Sequence, residues 1–223
     1  KDHNVKRNIH SKLKKIFPFI NIYWLELNSL KNGQLLTTLE AVNFYNIKGP
    51  IIIHNCDTSY KENTNLFKEI IEKKSFGAIP YFHAEGDNWS FIEIKNKIVS
   101  KVREKEMISN NCSVGTYLFC DAKEFKKLAN EYIEKNTNSN FEEFYIAPFY
   151  DFAINKGMIV EPIFCDFVKV YGTCSELLKT FKISFFELLS ENDFNGHQRK
   201  TLVIDIDQTL CVKPQDLSYS ECV

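Results

Sequence analysis

The sequence predicts an α/β fold: a Rossmann-like, mostly parallel mixed sheet flanked by helices, followed by the beginning of a second α/β domain. Three observations lead there. Short apolar runs such as Ile51 to Asn55 and Thr201 to Ile206 have the length of buried strands. Amphipathic stretches at helical period lie among them, for example Asn63 to Lys74 with Leu66, Phe67, Ile70 and Ile71 on one face. Hydrophobic residues make up 44% of the 223, with 19 Phe, which is enough apolar material to cover both faces of a sheet.

The elements follow in order. A helix is expected around Asn4 to Ile16, then a strand from Phe19 to Leu27, rich in Ile, Tyr and Trp. Lys31-Asn32-Gly33 is turn chemistry, and Gln34 to Tyr45 reads as a helix. Gly49-Pro50 punctuates the chain before the strand Ile51 to Asn55, and Asp57 falls just past that strand's end. From Gly77 the strands come in succession: Ala78 to His83, Trp89 to Ile94, Ile98 to Arg103 and Val114 to Cys120. Ala122 to Asn136 and Phe144 to Asn155 are helices, the second stopped by Gly157. Met158 to Val170 is strand material, and Ser175 to Phe181 is a short helix. The polar stretch Glu191 to Lys200, with Asn195-Gly196, reads as a linker. The expected organisation is therefore a domain over 1–190, a linker over 191–200 and the start of another domain over 201–223. In an open α/β sheet ligands bind beyond the carboxyl ends of the strands, which draws attention to Asp57 and Asp205.

Composition excludes several classes. A net charge of −1 argues against a nucleic-acid partner, which calls for a strongly basic face. The lysines and arginine of the first fifteen residues read as a solvated helix face. Seven cysteines, an odd number without a CxxC pair, fit a reduced, cytoplasmic protein better than a disulfide scaffold. No apolar stretch approaches the roughly 18 residues of a membrane span, so no membrane insertion is expected. Residue 1 is Lys, and the chain reads as a piece of something longer.

Four segments recur in a telling order: Gly33-Gln34-Leu35-Leu36-Thr37-Thr38; Ile51-Ile52-Ile53-His54-Asn55-Cys56-Asp57; Val102-Arg103-Glu104-Lys105 running on to Val114-Gly115-Thr116-Tyr117; and Phe144-Tyr145-Ile146-Ala147-Pro148 with Tyr171-Gly172-Thr173. Over roughly residues 15 to 182 this set resembles the sugar-phosphate nucleotidyltransferases, whose fold is related to that of many glycosyltransferases. The resemblance implies an NTP and a sugar phosphate, or a related phosphorylated small molecule, as substrates. It also implies Mg²⁺, because two anions must approach each other. It assigns Asp57 as metal ligand, Glu104 as acceptor for substrate hydroxyls and Lys105 as holder of the substrate phosphate. Gly33 and Gly115 fall in its substrate-binding segments, Gly33 where the backbone approaches the nucleotide. Two departures stand out. The family's glycine-rich, Arg-containing loop has no counterpart, and Val170 stands where relatives place a second metal-binding Asp, with Asp166 four residues too early.

Near the end, Leu202-Val203-Ile204-Asp205-Ile206-Asp207-Gln208-Thr209-Leu210 resembles the first motif of haloacid dehalogenase-type phosphatases of capsule biosynthesis. That likeness implies Asp205 as nucleophile, Asp207 as general acid and base, and both in holding Mg²⁺. The combined expectation is a nucleotidyltransferase fused to a phosphatase, serving surface polysaccharide assembly, with the fragment itself inactive. Two alternatives stay open: a cytidylyltransferase acting on a non-sugar phosphate, and a non-catalytic domain that binds a nucleotide or a partner.

Overall fold

In a computed structural model the described residues are 11–27, 29, 31–61, 64–137 and 143–181. Five strands follow one another without an intervening helix: β3 (Gly77–His83), β4 (Ser90–Lys95), β5 (Ile98–Glu104), β6 (Asn111–Ser113) and β7 (Thr116–Phe119). Of these, β4 and β5 form a direct antiparallel hairpin, β6 and β7 both pair antiparallel with β3, and β4 pairs antiparallel with β6. The strands β1 (Ile51–His54) and β8 (Val160–Phe164) complete a seven-stranded sheet of order β1-β7-β3-β6-β4-β5, with β8 on β3. Among the described residues the β3–β8 pair alone is parallel. The expected mostly parallel sheet is thus corrected to a mainly antiparallel one. The helix–strand alternation that suggested parallel pairing ends at Gly77. Asn96 and Lys97, both at positive φ, make the tight β4–β5 turn, which matches the twist of the strands it joins.

The flanking helices are as expected. Helices α1 (Gln34–Phe44), α3 (Ala122–Asn136) and α4 (Ile146–Asn155) share a core with Ile79, Tyr117 and Phe119. Helix α2 (Thr64–Glu72) packs Phe67 and Ile70 with Ala78 and Leu118. Alternate residues of β3 and β7 therefore serve opposite faces, as the period of a strand requires. Phe119 stacks on Tyr150 at 4.6 Å between ring centroids and meets Phe76, Phe125 and Phe149 edge-on or tilted, an aromatic centre that anchors α4 to the sheet. Asp151 strengthens the same contact by accepting from Val102 N at 3.0 Å and pairing with Arg103 at 2.6 Å.

Two further strands, β2 (Thr58–Lys61) and β9 (Asp166–Val170), form a separate antiparallel ribbon, followed by α5 (Cys174–Phe181). The sequence reading missed β2 and ran β8 and β9 together. The strand expected over Phe19 to Leu27 is absent. Residues 21–27 carry no strand pairing, and Phe19, Ile20 and Tyr23 are exposed, so the β-branched and aromatic content there has no sheet to join. Among the described residues no helix is long and apolar enough to cross a membrane. The linker, Asp205 and Asp207 lie outside the described residues.

Candidate active site

Residues Asn55 to Asp57 leave the carboxyl end of β1 and turn directly into β2. Tyr171 N donates to Asp57 O at 2.7 Å, and Ser59 and Tyr171 hydroxyls meet at 2.5 Å, so β2 and the residues after β9 are tied together at this turn. Asn55 N donates to Gly115 O at 2.9 Å, and the Asn55 side chain accepts from Gln34 Nε2 at 2.6 Å. Helix α1, the end of β1 and the β6–β7 connection converge here. Gly115, at φ +75°, is the residue that permits it, because a β-carbon would come within 2.7 Å of the Asn55 amide.

The result is a cleft of about 160 Å³ lined by Asn55, Asp57, Thr58, Asn88, Trp89, Ser90, Glu104, Ser113, Val114, Gly115, Tyr117 and Val170. Asp57, Glu104 and Gly115, chosen from widely separated parts of the sequence, thus face one space. Among the described residues two carboxylates line it and no cationic side chain does. Asp57 Oδ1 is buried and has no hydrogen-bond partner among the described residues. A buried carboxylate oxygen left unpaired is costly. A hard cation would relieve that cost, so the donor chemistry fits Mg²⁺, which is commonly held by one or two carboxylates and substrate phosphates.

Glu104 is oriented by the sheet. Ser90, its partner across the β4–β5 pair, donates to Glu104 Oε2 at 2.5 Å, and Tyr117 OH reaches Ser90 Oγ at 3.4 Å. Burial pushes the Tyr117 phenol up, and the Glu104 charge adds to the shift, so Tyr117 stays a neutral donor. Sequence reasoning missed Ser90. Its pairing with Glu104 depends on the hairpin register, which residue types alone do not reveal.

Lys105 follows Glu104 in the chain but is not among the residues that line the cleft. It is exposed, takes φ +53°, donates its backbone N–H to Trp89 O at 2.9 Å and sets Nζ 5.7 Å from the centroid of the Tyr145 ring. Its ammonium is thus placed beside Tyr145, at the start of α4. Gly33 is the N-cap of α1, and the backbone of Phe144 lies directly on its α-carbon. That contact gives Gly33 a packing role. Val170 lines the cleft across from Asp57, whereas Asp166 pairs with Lys61 at the far end of β9 and is not among the lining residues.

Solved structures of nucleotidyltransferases share this architecture. A nucleoside-diphosphate-sugar pyrophosphorylase from Vibrio cholerae RC9 matches with a TM-score of 0.71 and 25% identity, over 82% of this chain and 78% of that one. The chain has a nucleotidyltransferase fold. A protein of Bacillus anthracis assigned as a glucose-1-phosphate thymidylyltransferase, solved with a sucrose, matches at 0.63 and 16% identity, over 79% and 71% of the two chains. The inositol-1-phosphate CTP transferase of T. maritima matches at 0.60 and 13%, over 79% and 71%. No protein-family model matches the sequence, and no curated protein matches it significantly.

Cys56, beside Asp57 in the turn at the cleft, is exposed, whereas burial raises the Cys120 thiol to about 11. Only the thiolate reacts, so at neutral pH Cys120 stays protonated and inert. Maleimide is expected to modify Cys56 rapidly and Cys120 only on unfolding, which peptide mass mapping will read out. Fast labelling of Cys120 in the folded chain would contradict its placement.

Proposed function

We propose that the chain transfers a nucleotidyl group from an NTP to a sugar phosphate and releases pyrophosphate. The observation that carries this reading is the convergence of Asp57 and Glu104 on one cleft with no cationic side chain among the described residues that line it, in a fold shared with nucleotidyltransferases. An oxygen of the acceptor phosphate attacks the α-phosphorus. The bond from that phosphorus to the bridging oxygen of the β-phosphate breaks, and pyrophosphate departs with the electron pair. Asp57 would hold Mg²⁺, which would supply charge neutralisation for the two anions.

The protein's own groups position the partners. Glu104 Oε2 is occupied by Ser90, which leaves Oε1 to accept a hydroxyl of the sugar. Lys105, free to swing from the Tyr145 face, reaches for the acceptor phosphate as a point charge. The resemblance of the Asp205 to Asp207 segment adds a proposed haloacid dehalogenase-type phosphatase in the same protein, acting in surface polysaccharide assembly. That part rests on the sequence motif.

Screening the four NTPs against a panel of sugar phosphates, polyol phosphates and phosphorylated amino alcohols, with pyrophosphate release as the signal, tests the reading. Release with a sugar phosphate supports it, and release with a non-sugar phosphate alone selects the cytidylyltransferase-like alternative. Binding of an NTP with no release under any pairing would point to a non-catalytic module. Lys105→Ala is expected to raise the KM of the acceptor phosphate roughly tenfold, the loss of one charge-assisted contact. The KM of the NTP should change little. Equal rises in both constants, or none, would count against the assignment.

A further inference from the structure

Glu176, in the first turn of α5, brings a second carboxylate to Asp57. The position that a β-carbon on Gly172 would take lies 3.3 Å from Asp57 Oδ2 and 3.5 Å from Glu176 Oε2, so the two acidic groups flank one α-carbon. Glu176 is held there by a reciprocal cap. Its Oε2 accepts from Thr173 N at 2.8 Å, and Thr173 Oγ1 accepts from Glu176 N at 3.2 Å. Asp57 is fixed from the other side by the bond from Tyr171 N to its carbonyl. Neither carboxylate forms an ion pair with any described Lys, Arg or His.

The helix cap accounts for one oxygen of Glu176. It does not account for Asp57 turning Oδ2 toward that carboxylate while its other oxygen, Oδ1, is buried with no partner among the described residues. Two neighbouring carboxylates destabilise each other's charged forms, and a cation between them reverses the sign of that interaction. Val170, which shares the cleft with Asp57, offers no donor atom. We infer that Glu176 is the second carboxylate of the divalent-cation site, acting with Asp57. This deepens the proposed function and rests on its placement of Mg²⁺ at Asp57. Sequence reasoning passed over Glu176, although Thr173-x-x-Glu176 is a readable capping pattern. Its approach to Asp57 arises only when β2 pairs with β9.

Glu176→Gln separates the cap from the cation. Glutamine keeps a carbonyl acceptor for Thr173 N, so the cap survives and the charge alone is lost. Mn²⁺ alone, titrated into the metal-stripped full chain and followed by the EPR signal of the free ion, gives the affinity directly. Melting temperature in EDTA reports the fold. Glu176→Gln is expected to weaken Mn²⁺ binding roughly tenfold or more with unchanged melting, because ligand charge sets affinity at such sites. Wild-type affinity in Glu176→Gln, with binding lost in Asp57→Asn, would overturn the role of Glu176 and leave Asp57 as ligand. No Mn²⁺ binding by the wild type would overturn both. A fall in melting temperature in EDTA parallel to the loss of affinity would assign Glu176 to the fold alone and overturn the inference.

Discussion

Asp57→Asn in the intact protein is expected to lower turnover on the order of 10²-fold or more, because removing a metal clamp removes several kcal/mol of transition-state stabilisation. The substitution keeps the size of the side chain. The backbone bond from Tyr171 N to the residue 57 carbonyl is unaffected by it, so the turn between β1 and β2 should hold. Oδ1 is buried and unpaired among the described residues, and a neutral amide there tolerates the absence of a cation better than a carboxylate does. The variant should therefore melt no lower than the wild type while losing its catalysis. Steady-state pyrophosphate release and a thermal scan on the same samples check both halves. Near-normal turnover would remove Asp57 from the chemistry.

The second large effect is on the fold. Gly33 takes φ +106°, and a β-carbon added to it would stand 2.5 Å from both the nitrogen and the oxygen of Phe144. Those are backbone atoms and cannot rotate away. Phe144 N also donates to Asn32 O, and Leu35 N donates to Phe144 O, so the two segments are bonded on both sides of the contact. Gly33→Ala must therefore strain φ, part the segments, or both. The expected cost is about 2–5 kcal/mol, the sum of a left-handed residue and an overpacked contact. Urea unfolding measures it. Activity lost in this variant should track the loss of folded protein. A variant with wild-type stability and a selectively raised KM for the NTP would instead return Gly33 to a nucleotide-contact role.

Much of this was legible in the residues. The helix Ala122 to Asn136 was read in full, and the structure adds its cap, Asp121, which accepts from Glu124 N. The resemblance picked out Asp57, Glu104 and Gly115, and these three line one cleft. The pairing of the strands was not legible, because apolar runs such as Ala78 to His83 announce burial without announcing direction. Register was hidden for the same reason, and with it the bond from Ser90 to Glu104. Gly33 reads as a turn glycine, and nothing local reveals Phe144 lying across it. The short polar strand Thr58–Lys61 carries too little apolar signal to be seen, so the ribbon that sets Glu176 beside Asp57 was invisible.

The central claim is that the α-phosphoryl unit of an NTP, with its nucleoside, moves to an acceptor phosphate. An NTP labelled with ³³P at the α position, incubated with the intact protein and the acceptor found in the screen, tests this most directly. The expected result is one labelled product in which nucleotide and acceptor are joined through a new diphosphate, formed in step with unlabelled pyrophosphate. Label recovered as free nucleoside monophosphate, or an acceptor that gains phosphate only from the γ position, would contradict nucleotidyl transfer.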